Sequence, residues 1–336
     1  MMEQNNVDAL PALSLVIPTH NRAHLIVATI ESALAQSIPF AEIIIVDDAS
    51  TDDTIATVRR FGDRIKVIES FKVGVQGARN LGVEAASSNY ITLCDSDDLL
   101  QAAFVETVTT WLASRQDIDS VYVNYQSFDE SGTADDIMSG APAGFLQGMR
   151  RDEQFLRDIP DLYARTVSFQ PMMPSGATIK RSFYQAIGGF NPAFDRVPSE
   201  DWEYTLRAVA MGKTAICLVP LVLIRRHAGN DSQNLLRQAL GEVDILKFAL
   251  KHHEAAQTCR EILEAGIRKR CHEVFYESFR RRQFAVAGSV FSWLEQKPNT
   301  LRFKLKALLI WAYTRFDKRT PYAVLDFPWP KECKNS

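Results

Sequence analysis

The segment from Tyr90 to Asp98 has the sequence YITLCDSDD. Its apolar first half predicts a buried strand, and Asp95, Asp97 and Asp98 follow together at the carboxyl end of that strand. Carboxylates this close repel one another unless a positive group lies among them, and an Asp-x-Asp sequence allows two of them to approach one divalent cation. The alternative is structural, because Asp and Ser could cap a helix that begins at Leu99.

A second group of aspartates follows another predicted strand. Residues 42–46 are largely apolar and lead into the acidic turn DDASTDD at residues 47–53. A further buried strand is predicted at 13–17, ending before Pro18. If these strands are parallel neighbours, their carboxyl ends meet at the sheet edge where ligands bind. Two acidic strand ends at one edge favour a polar, metal-assisted site over simple helix capping.

The spacing of apolar residues predicts an α/β fold. Helices are predicted at residues 23–36, 54–61 and 75–85, with another strand at 65–68. Strands that alternate with helices form βαβ units, so we predict a mostly parallel sheet with helices on both faces. The sequence lacks the glycine patterns of dinucleotide-binding and P-loop proteins, so phosphate must be held by metal and basic side chains. Arg79 is the best-placed candidate, its alternative being a solvated helix residue.

Composition restricts the class of protein. The chain has 336 residues, 46% of them hydrophobic and 24% charged, which is typical of a globular protein with one large and one smaller domain. The five cysteines form no Cys-x-x-Cys pair, so neither a zinc site nor a disulfide framework is predicted. A reducing, cytoplasmic compartment is therefore expected. Neither a signal peptide nor a membrane-spanning segment is predicted.

The second half of the chain carries weaker signals. Strands are predicted at 119–126 and 215–224, a strand followed by a short helix is predicted between Thr178 and Gly188, and a helix is predicted to begin at Ser199. Residues 127–160 are rich in Gly, Asp and Ser and are predicted to be irregular.

Four motifs, in this order and spacing, resemble those of the family 2 inverting glycosyltransferases. They are LVIPTHNR at residues 15–22, IVDDASTD at 45–52, GARN at 77–80 and DSDD at 95–98. The resemblance extends over about residues 12–230. It implies the Rossmann-like GT-A fold, a nucleotide-sugar donor that is usually a uridine diphosphate sugar, Mn²⁺ or Mg²⁺ as cofactor, and a glycan or lipid-linked acceptor.

The resemblance assigns donor-binding roles to several residues. Asp48 matches the aspartate that recognises the uracil ring, with Asp47 beside it, and Arg79 matches a residue that contacts the nucleotide. The remaining matched positions on the nucleotide side are Pro18, Thr19, Arg22 and Asp95. Asp97 matches the most direct metal ligand, while Asp95 would act through water or the ribose.

Two further motifs supply the remaining candidates. His227, in the sequence RRHAGN at 225–230, would approach the metal or the diphosphate, although a histidine at a strand end is often only a surface residue. Asp201, in the sequence SEDWE at 199–203, resembles the catalytic base of the family, with Glu200 beside it. An inverting transfer is a single displacement that needs one carboxylate to take the proton of the acceptor hydroxyl. The alternative for these acids is stabilisation of a helix start.

Two other functions remain open from the sequence. The first is a nucleotidyl-sugar transferase, which the sequence disfavours because no glycine-rich, basic loop for a triphosphate follows the first strand. The second is a non-catalytic sugar-nucleotide-binding or scaffold protein, which would have little use for a base such as Asp201.

The carboxyl-terminal part has a different character. Residues 247–336 contain 18 lysines and arginines against 9 acidic residues, whereas residues 1–246 contain 20 against 32. We therefore predict a catalytic domain at 1–233 and a helical region at 234–336, with basic stretches at 280–282 and 302–306. Those stretches favour either peripheral contact with the inner face of a membrane or a helical bundle with a solvated basic face. No motif suggests nucleic-acid binding.

Overall fold

The computed structural model describes residues 10–227, 234–291, 294 and 300–316. Contacts divide the chain into two compact units. The first comprises the described residues up to 195 together with 204–227, and the second comprises 196–203 together with the described residues from 234 onward. The sequence-based boundary between 233 and 234 instead assigns residues 196–203 to the first domain.

The first unit is built on one mixed sheet. Its strands among the described residues are β1 Leu13–Thr19, β2 Glu42–Asp47, β3 Lys66–Glu69, β4 Tyr90–Leu93, β5 Leu99–Leu100, β6 Ser120–Asp129, β7 Gly132–Asp136, β8 Arg150–Asp152, β9 Phe155–Arg157, β10 Thr178–Lys180 and β11 Thr214–Arg225. Their order is β3-β2-β1-β4-β10-β6-β11-β9-β8, with β5 beside β11 and β7 beside β6. The first four strands are parallel, whereas β10 runs antiparallel to both β4 and β6.

Helices cover both faces of this sheet, as predicted. They are α1 Ile26–Leu34, α2 Thr54–Arg59, α3 Gly74–Ala85, α4 Phe104–Leu112, α5 Leu162–Ser168, α6 Arg181–Ala186 and α7 Glu200–Met211, of which α7 begins in the second unit. The predicted first helix at 23–36 is shorter at both ends.

Alternation along β1 explains the two layers. Leu15 and Ile17 pack with α1 and α4, whereas Val16 packs with α3 on the opposite face. Gly82 of α3 lies so close to β1 that a Cβ at this position would be 2.2 Å from a methyl group of Val16. The sequence therefore holds α3, which carries Arg79, tightly against the central strand.

Two local predictions are wrong. The first strand does not end before Pro18, because Pro18 pairs with Val46 of β2. The pairing of β1 with β4 stops at Val16, so proline, which lacks an N–H, lies where one side of the strand is no longer paired. The helix predicted to begin at Leu99 begins at Phe104 instead, since residues 99–100 form β5 against β11.

The segment 127–160, predicted to be irregular, contains regular structure. The strand β6 continues to Asp129 and turns back into β7, and β8 and β9 form a second antiparallel pair. Arg115 anchors that pair, because its guanidinium donates hydrogen bonds of 2.7 Å to both carboxylate oxygens of Asp152. These strands are too short to be recognised from their own sequence.

The second unit is helical in its described part. Its helices are α8 Leu235–His252, α9 Glu254–Thr258, α10 Arg260–Arg280, α11 Phe284–Phe291 and α12 Leu301–Phe316. Residues 196–203 belong to it through local contacts: Arg237 donates to the carbonyl of Arg196, and the Nε2 atom of His253 lies 3.5 Å from a carboxylate oxygen of Glu203. None of the helices in the described ranges is long and apolar enough to cross a membrane.

Candidate active site

The two predicted acidic groups lie at one edge of the sheet. The strand β1 is in parallel register with β2 on one side and β4 on the other. The residues that follow β2 and β4 therefore emerge at the same edge, on either side of the loop that follows β1. The sequence-based expectation for the placement of Asp48 and Asp95 is confirmed at the level of topology.

The loops after β1 and β2 are linked by hydrogen bonds. Asn21 has a left-handed backbone, with φ of 52°, and its Oδ1 atom accepts a 2.7 Å hydrogen bond from the amide of Thr51. The amide of Arg22 donates to Oγ1 of Thr54 at 2.8 Å, and the amide of Asn21 donates to Oγ of Ser50 at 2.8 Å. Each loop therefore supplies the partners that the other needs.

Asp47 and Asp48 have different environments. Asp47 is buried, and its Oδ2 atom accepts from the amide of Ser50, but its Oδ1 atom has no hydrogen-bond partner among the described residues. The buried Oγ1 atom of Thr19, which lies opposite Asp47 in the β1–β2 register, likewise lacks one. Buried polar atoms are normally paired, so these two atoms lack hydrogen bonds that such atoms usually form.

Asp48 holds the loop that leads into α3. Its carboxylate accepts hydrogen bonds from the hydroxyl of Ser70 at 2.9 Å, the amide of Val73 at 2.6 Å and the amide of Gly74 at 2.9 Å. The predicted uracil-recognising residue thus also fixes the loop after β3. Part of its acceptor capacity remains for a ligand, since a carboxylate offers about four lone-pair sites.

The aspartates after β4 have cationic or imidazole neighbours. Arg79 is buried, not solvated: its guanidinium donates a 2.7 Å hydrogen bond to Asp95 and stacks over the ring of Phe190, 5.0 Å from its centroid. The Oδ2 atom of Asp97 lies 3.0 Å from Nε2 of His227 and 3.7 Å from Nε of Arg22. The structure therefore brings these predicted residues together at one place.

Asp98 is a residue whose role the sequence did not reveal. It is buried, its Oδ2 atom accepts a 2.5 Å hydrogen bond from Oγ of Ser175, and its Oδ1 atom accepts from the amide of Arg225 at 3.0 Å. Burial raises the pKa of Asp98 well above the usual carboxyl value, and the negative charges of Asp95 and Asp97 raise it further. Asp98 thus ties the acidic turn to the end of β11.

Ser175 completes this support. Its Oγ atom also accepts a 3.0 Å hydrogen bond from the amide of Asp95, so one hydroxyl holds both ends of the acidic turn. The next residue, Gly176, has φ of +87°, and a Cβ there would be 2.5 Å from a methyl group of Val123. The glycine allows Ser175 to reach the turn.

The Ser175→Ala variant tests this support. We expect it to lower the free energy of unfolding by about 1–3 kcal/mol, because it removes a buried donor and acceptor. The hydroxyl stabilises the ionised form of Asp98, so its loss raises the pKa of Asp98 further. When the pKa of a carboxyl group is raised in the folded protein, the free energy of unfolding falls as the pH rises. The loss of stability in the variant should therefore be greater at about pH 8 than at about pH 5.

Urea unfolding of Ser175→Ala at both pH values provides the measurement. The matched control is Ser131→Ala, because Ser131 donates to Asp129 in the same way but on an exposed hairpin. We expect the control to lose less than about 0.5 kcal/mol. Equal losses in the two variants would contradict the assigned role of Ser175.

The residues present fit a divalent cation in part. Within the described ranges, no three His, Cys, Asp or Glu side chains form a ready metal cluster. The 3.0 Å separation of the Asp97 and His227 donor atoms matches two adjacent ligands of an ion bound at about 2.1 Å. Asp95 faces Arg79 instead, which agrees with an indirect role.

Glu200 and Asp201 occupy the first turn of α7 and are half-buried. The helix begins where it was predicted, directly after Ser199, whose Oγ atom accepts a hydrogen bond from Gln238 of α8. The neighbouring Trp202 is buried beneath the guanidinium of Arg270, 4.9 Å from the ring centroid. These contacts fix the start of α7 within the second unit, and the catalytic role of Asp201 stays a prediction. The part of the predicted RRHAGN motif after His227 lies outside the described residues.

The segment Gly188-Gly189-Phe190, which follows α6, packs against α3. The side chain of Asn80 forms three hydrogen bonds: it accepts from the hydroxyl of Tyr184 and the amide of Phe190, and it donates to the carbonyl of Phe190. Phe190 is the residue that supports Arg79. The Gly188-Gly189-Phe190 segment therefore also positions a residue of the nucleotide side.

Comparison with curated proteins finds partial matches. Glycosyltransferase GlyG of Streptococcus pneumoniae is 35% identical over 123 residues, covering 35% of this chain and 40% of that protein. The Escherichia coli protein named UDP-Glc:alpha-D-GlcNAc-diphosphoundecaprenol beta-1,3-glucosyltransferase WfaP is 26% identical, covering 72% of this chain and 88% of its own. The matches with five of the curated relatives cover only 17–40% of the length of those proteins.

Comparison with solved structures shows the fold. Staphylococcus aureus TarS (residues 1–349) in complex with UDP-GlcNAc has a TM-score of 0.60 at 16% identity, covering 90% of this chain and 87% of that one. The mannosyltransferase PcManGT of Pyrobaculum calidifontis, in complex with GDP-Man and Mn²⁺, has a TM-score of 0.53 at 16% identity, covering 92% and 88%. The predicted GT-A fold is confirmed.

A family comparison matches the first part of the chain. Residues 14–172 match the family described as Glycosyl transferase family 2. This range contains β2, β4 and all of β1 except Leu13, together with the acidic residues that follow β2 and β4. The predicted resemblance is confirmed, and residues 14–172 are similar in sequence to glycosyl transferase family 2.

Proposed function

We propose that the protein is an inverting, metal-dependent glycosyltransferase that moves a sugar from a nucleoside diphosphate, UDP in the first instance, to a hydroxyl of a glycan or lipid-linked acceptor. The observation that carries the proposal is the convergence of Asp95, Asp97, Arg79 and His227 beside the loop after β1. The name of WfaP, which includes a UDP-sugar and a lipid diphosphate, supports this donor and acceptor class.

The donor would be bound at the edge formed by β1, β2 and β4. The Oδ1 atom of Asp47 and the Oγ1 atom of Thr19 are buried without hydrogen-bond partners among the described residues, and a ligand that reached them with hydrogen bonds would offset a cost of about 1–3 kcal/mol for each. Asp48 and Asp47 would face the base, with Pro18 beside them. Arg22 and Arg79 would act on the diphosphate side, where their charges oppose those of the phosphates.

Asp97 and His227 would hold the divalent cation. When bound, such an ion neutralises negative charge on the oxygens of a departing nucleoside diphosphate. Imidazole is a more usual ligand of Mn²⁺ than of Mg²⁺, so His227 favours Mn²⁺. Arg79, through its ion pair with Asp95, orients the first carboxylate of the turn, and Asp98 with Ser175 fixes the backbone between them.

Asp201 would take the proton of the acceptor hydroxyl as the hydroxyl oxygen attacks the anomeric carbon and the nucleoside diphosphate leaves. Glu200 would help to orient the acceptor. One such step inverts the configuration of that carbon and needs one base. An acceptor attached to a lipid lies at a membrane surface, so the proposal includes peripheral contact of the helical unit with a bilayer.

A panel of nucleoside diphosphates tests the donor class. We expect UDP with Mn²⁺ to raise Tm by about 5 °C at saturating concentration, because a ligand that binds only the folded protein stabilises it. UDP alone, and GDP, CDP or dTDP with Mn²⁺, should give smaller shifts. In His227→Ala the rise in Tm with UDP and Mn²⁺ should fall to the rise seen with UDP and Mg²⁺.

Three outcomes would overturn parts of this proposal. If none of the diphosphates changes Tm, the protein does not bind the proposed donor. If only triphosphates raise Tm, the nucleotidyltransferase is favoured. An unchanged preference for Mn²⁺ in His227→Ala would remove His227 from the metal ligands while leaving the donor site intact.

A further inference from the structure

The helix α12 carries apolar side chains on two opposite faces. Phe303 and Ile310 are buried against the rest of the second unit. On the other side, five large apolar residues are 52–75% exposed: Leu301, Leu305, Leu308, Leu309 and Trp311. The four leucines follow the spacing i, i+4, i+7 and i+8, which places them on one helical face. We call these five residues the outer face of α12.

Inward contacts fix the rotation of α12. The ring of Phe303 stacks on that of Phe291, with centroids 5.8 Å apart, and lies 5.7 Å from that of Phe275. The ammonium group of Lys306 lies 4.5 Å and 4.7 Å from the ring centroids of Tyr276 and Phe279. Burial in this aromatic setting lowers the pKa of Lys306. The outer face is therefore held outward by packing on the opposite side of the helix.

The outer face of α12 is large, apolar and exposed. Single exposed apolar residues are ordinary, but a contiguous group of four leucines and a tryptophan is typical of an interaction surface. Leucine with an interfacial tryptophan is also the composition with which amphipathic helices enter the boundary between lipid headgroups and acyl chains.

The charge of α12 favours a negatively charged partner. Within residues 301–316 the sequence has four basic residues and no acidic one. Arg302 and Lys304 are exposed beside the outer face, and neither has an acidic partner among the described residues. In the other basic stretch indicated by the sequence, at 280–282, Arg280 and Arg281 both donate to Glu277. The single carboxylate of Glu277 offsets only one of the three positive charges at 280–282, so the end of α10 also stays basic. In α12 positive charge is combined with an exposed apolar face.

We propose that the outer face of α12 is a membrane-docking surface, which inserts its leucines and Trp311 into the interface of a bilayer containing anionic phospholipid while Arg302 and Lys304 contact the headgroups. This proposal deepens the proposed function, since it names the surface that brings the enzyme to a lipid-linked acceptor. Insertion, not attraction of the arginine cluster, supplies most of the binding, so the contact should resist salt.

Vesicle flotation of the full chain tests this surface, with no nucleotide or acceptor present. The probes are phosphatidylcholine vesicles with and without phosphatidylglycerol, at low and high salt. The test variant is Leu305→Gln with Leu308→Gln, which keeps the net charge. The matched control is Leu235→Gln with Ile262→Gln, since both residues are exposed, apolar and outside α12. A third variant, Arg302→Gln with Lys304→Gln, removes the flanking charges.

We expect the wild type and the control to float with the anionic vesicles, and the Leu305/Leu308 variant to lose about tenfold or more of its partition coefficient. High salt should reduce vesicle binding of the wild type less than the leucine substitutions reduce it. The Arg302/Lys304 variant should lose its preference for anionic vesicles. The emission of the wild type should shift to shorter wavelength on binding, and that shift should be reduced in Trp311→Phe.

Three results would overturn the docking surface. They are no flotation of the wild type, equal flotation of the leucine variant and the control, or a wild-type dimer that the leucine variant converts to a monomer, which would assign the face to a second copy of the chain. None of these results bears on nucleotide binding, so a failure here is distinct from a failure of the proposed donor site.

Discussion

The Asp97→Asn variant is expected to lose metal-dependent binding of the nucleoside diphosphate. The substitution keeps the size of the side chain but removes the negative charge beside His227 and Arg22. We expect the affinity for UDP in the presence of Mn²⁺ to fall by about 100-fold or more, which is ~2.7 kcal/mol or more. Isothermal titration with UDP, with and without Mn²⁺, provides the measurement.

The control for Asp97→Asn is Asp129→Asn, which makes the same chemical change on the exposed hairpin between β6 and β7. The control should bind UDP with Mn²⁺ as the wild type does. If Asp97→Asn also retains wild-type affinity and the same dependence on Mn²⁺, Asp97 is not a metal ligand. A loss of affinity that is equal with and without Mn²⁺ would assign Asp97 to the nucleotide instead.

The Asp201→Asn variant is expected to bind the donor normally and to turn over very slowly. An amide cannot take the proton of the acceptor hydroxyl, so kcat should fall by about 10²–10⁴-fold, the usual contribution of a general base. Release of UDP in the presence of acceptor measures turnover, and titration with UDP and Mn²⁺ measures binding. The separation of the two effects is the expected signature of a base.

Two outcomes would contradict the role of Asp201. Turnover at the wild-type rate would exclude it as the base. A joint loss of donor binding and of thermal stability would instead indicate that its carboxylate serves to hold the first turn of α7, where acids also interact favourably with the helix dipole. Asp129→Asn again serves as the control for the substitution itself.

The sequence predicted the first half of the sheet because its signals are local. The strands β1, β2 and β4 are short apolar runs bounded by acids or turn residues, and the intervening helices have clear apolar faces. The strands β5 and β9 have two and three residues, so nothing in their own sequence separates them from a helix or a turn. Their structure is determined by partners far along the chain, as when Leu99 pairs with Leu223.

The candidate site divides in the same way. The acidic residues were predictable because they follow recognisable strands. The residues that support them were not predictable, because they are distant in sequence. Ser175 lies 80 residues from Asp95, whose amide donates to it, and Phe190 is still farther along the chain from Arg79, which it contacts. The sequence offered one signal for Ser175, namely the Pro-Ser-Gly turn in front of a strand, but no indication of what the turn holds. Only the three-dimensional arrangement distinguishes Asp98 as a buried support from Asp97 as a candidate ligand.

The hydrogen bonds of Asn21 have a consequence for engineering this protein. Because Asn21 and Arg22 are bonded to Ser50, Thr51 and Thr54, the segments after β1 and β2 behave as one interlocking part. A chimera that exchanges only one of these segments with a relative would leave the other without its partners. Donor preference should therefore be transplanted as a two-segment cassette, with residues 18–23 and 47–54 moved together.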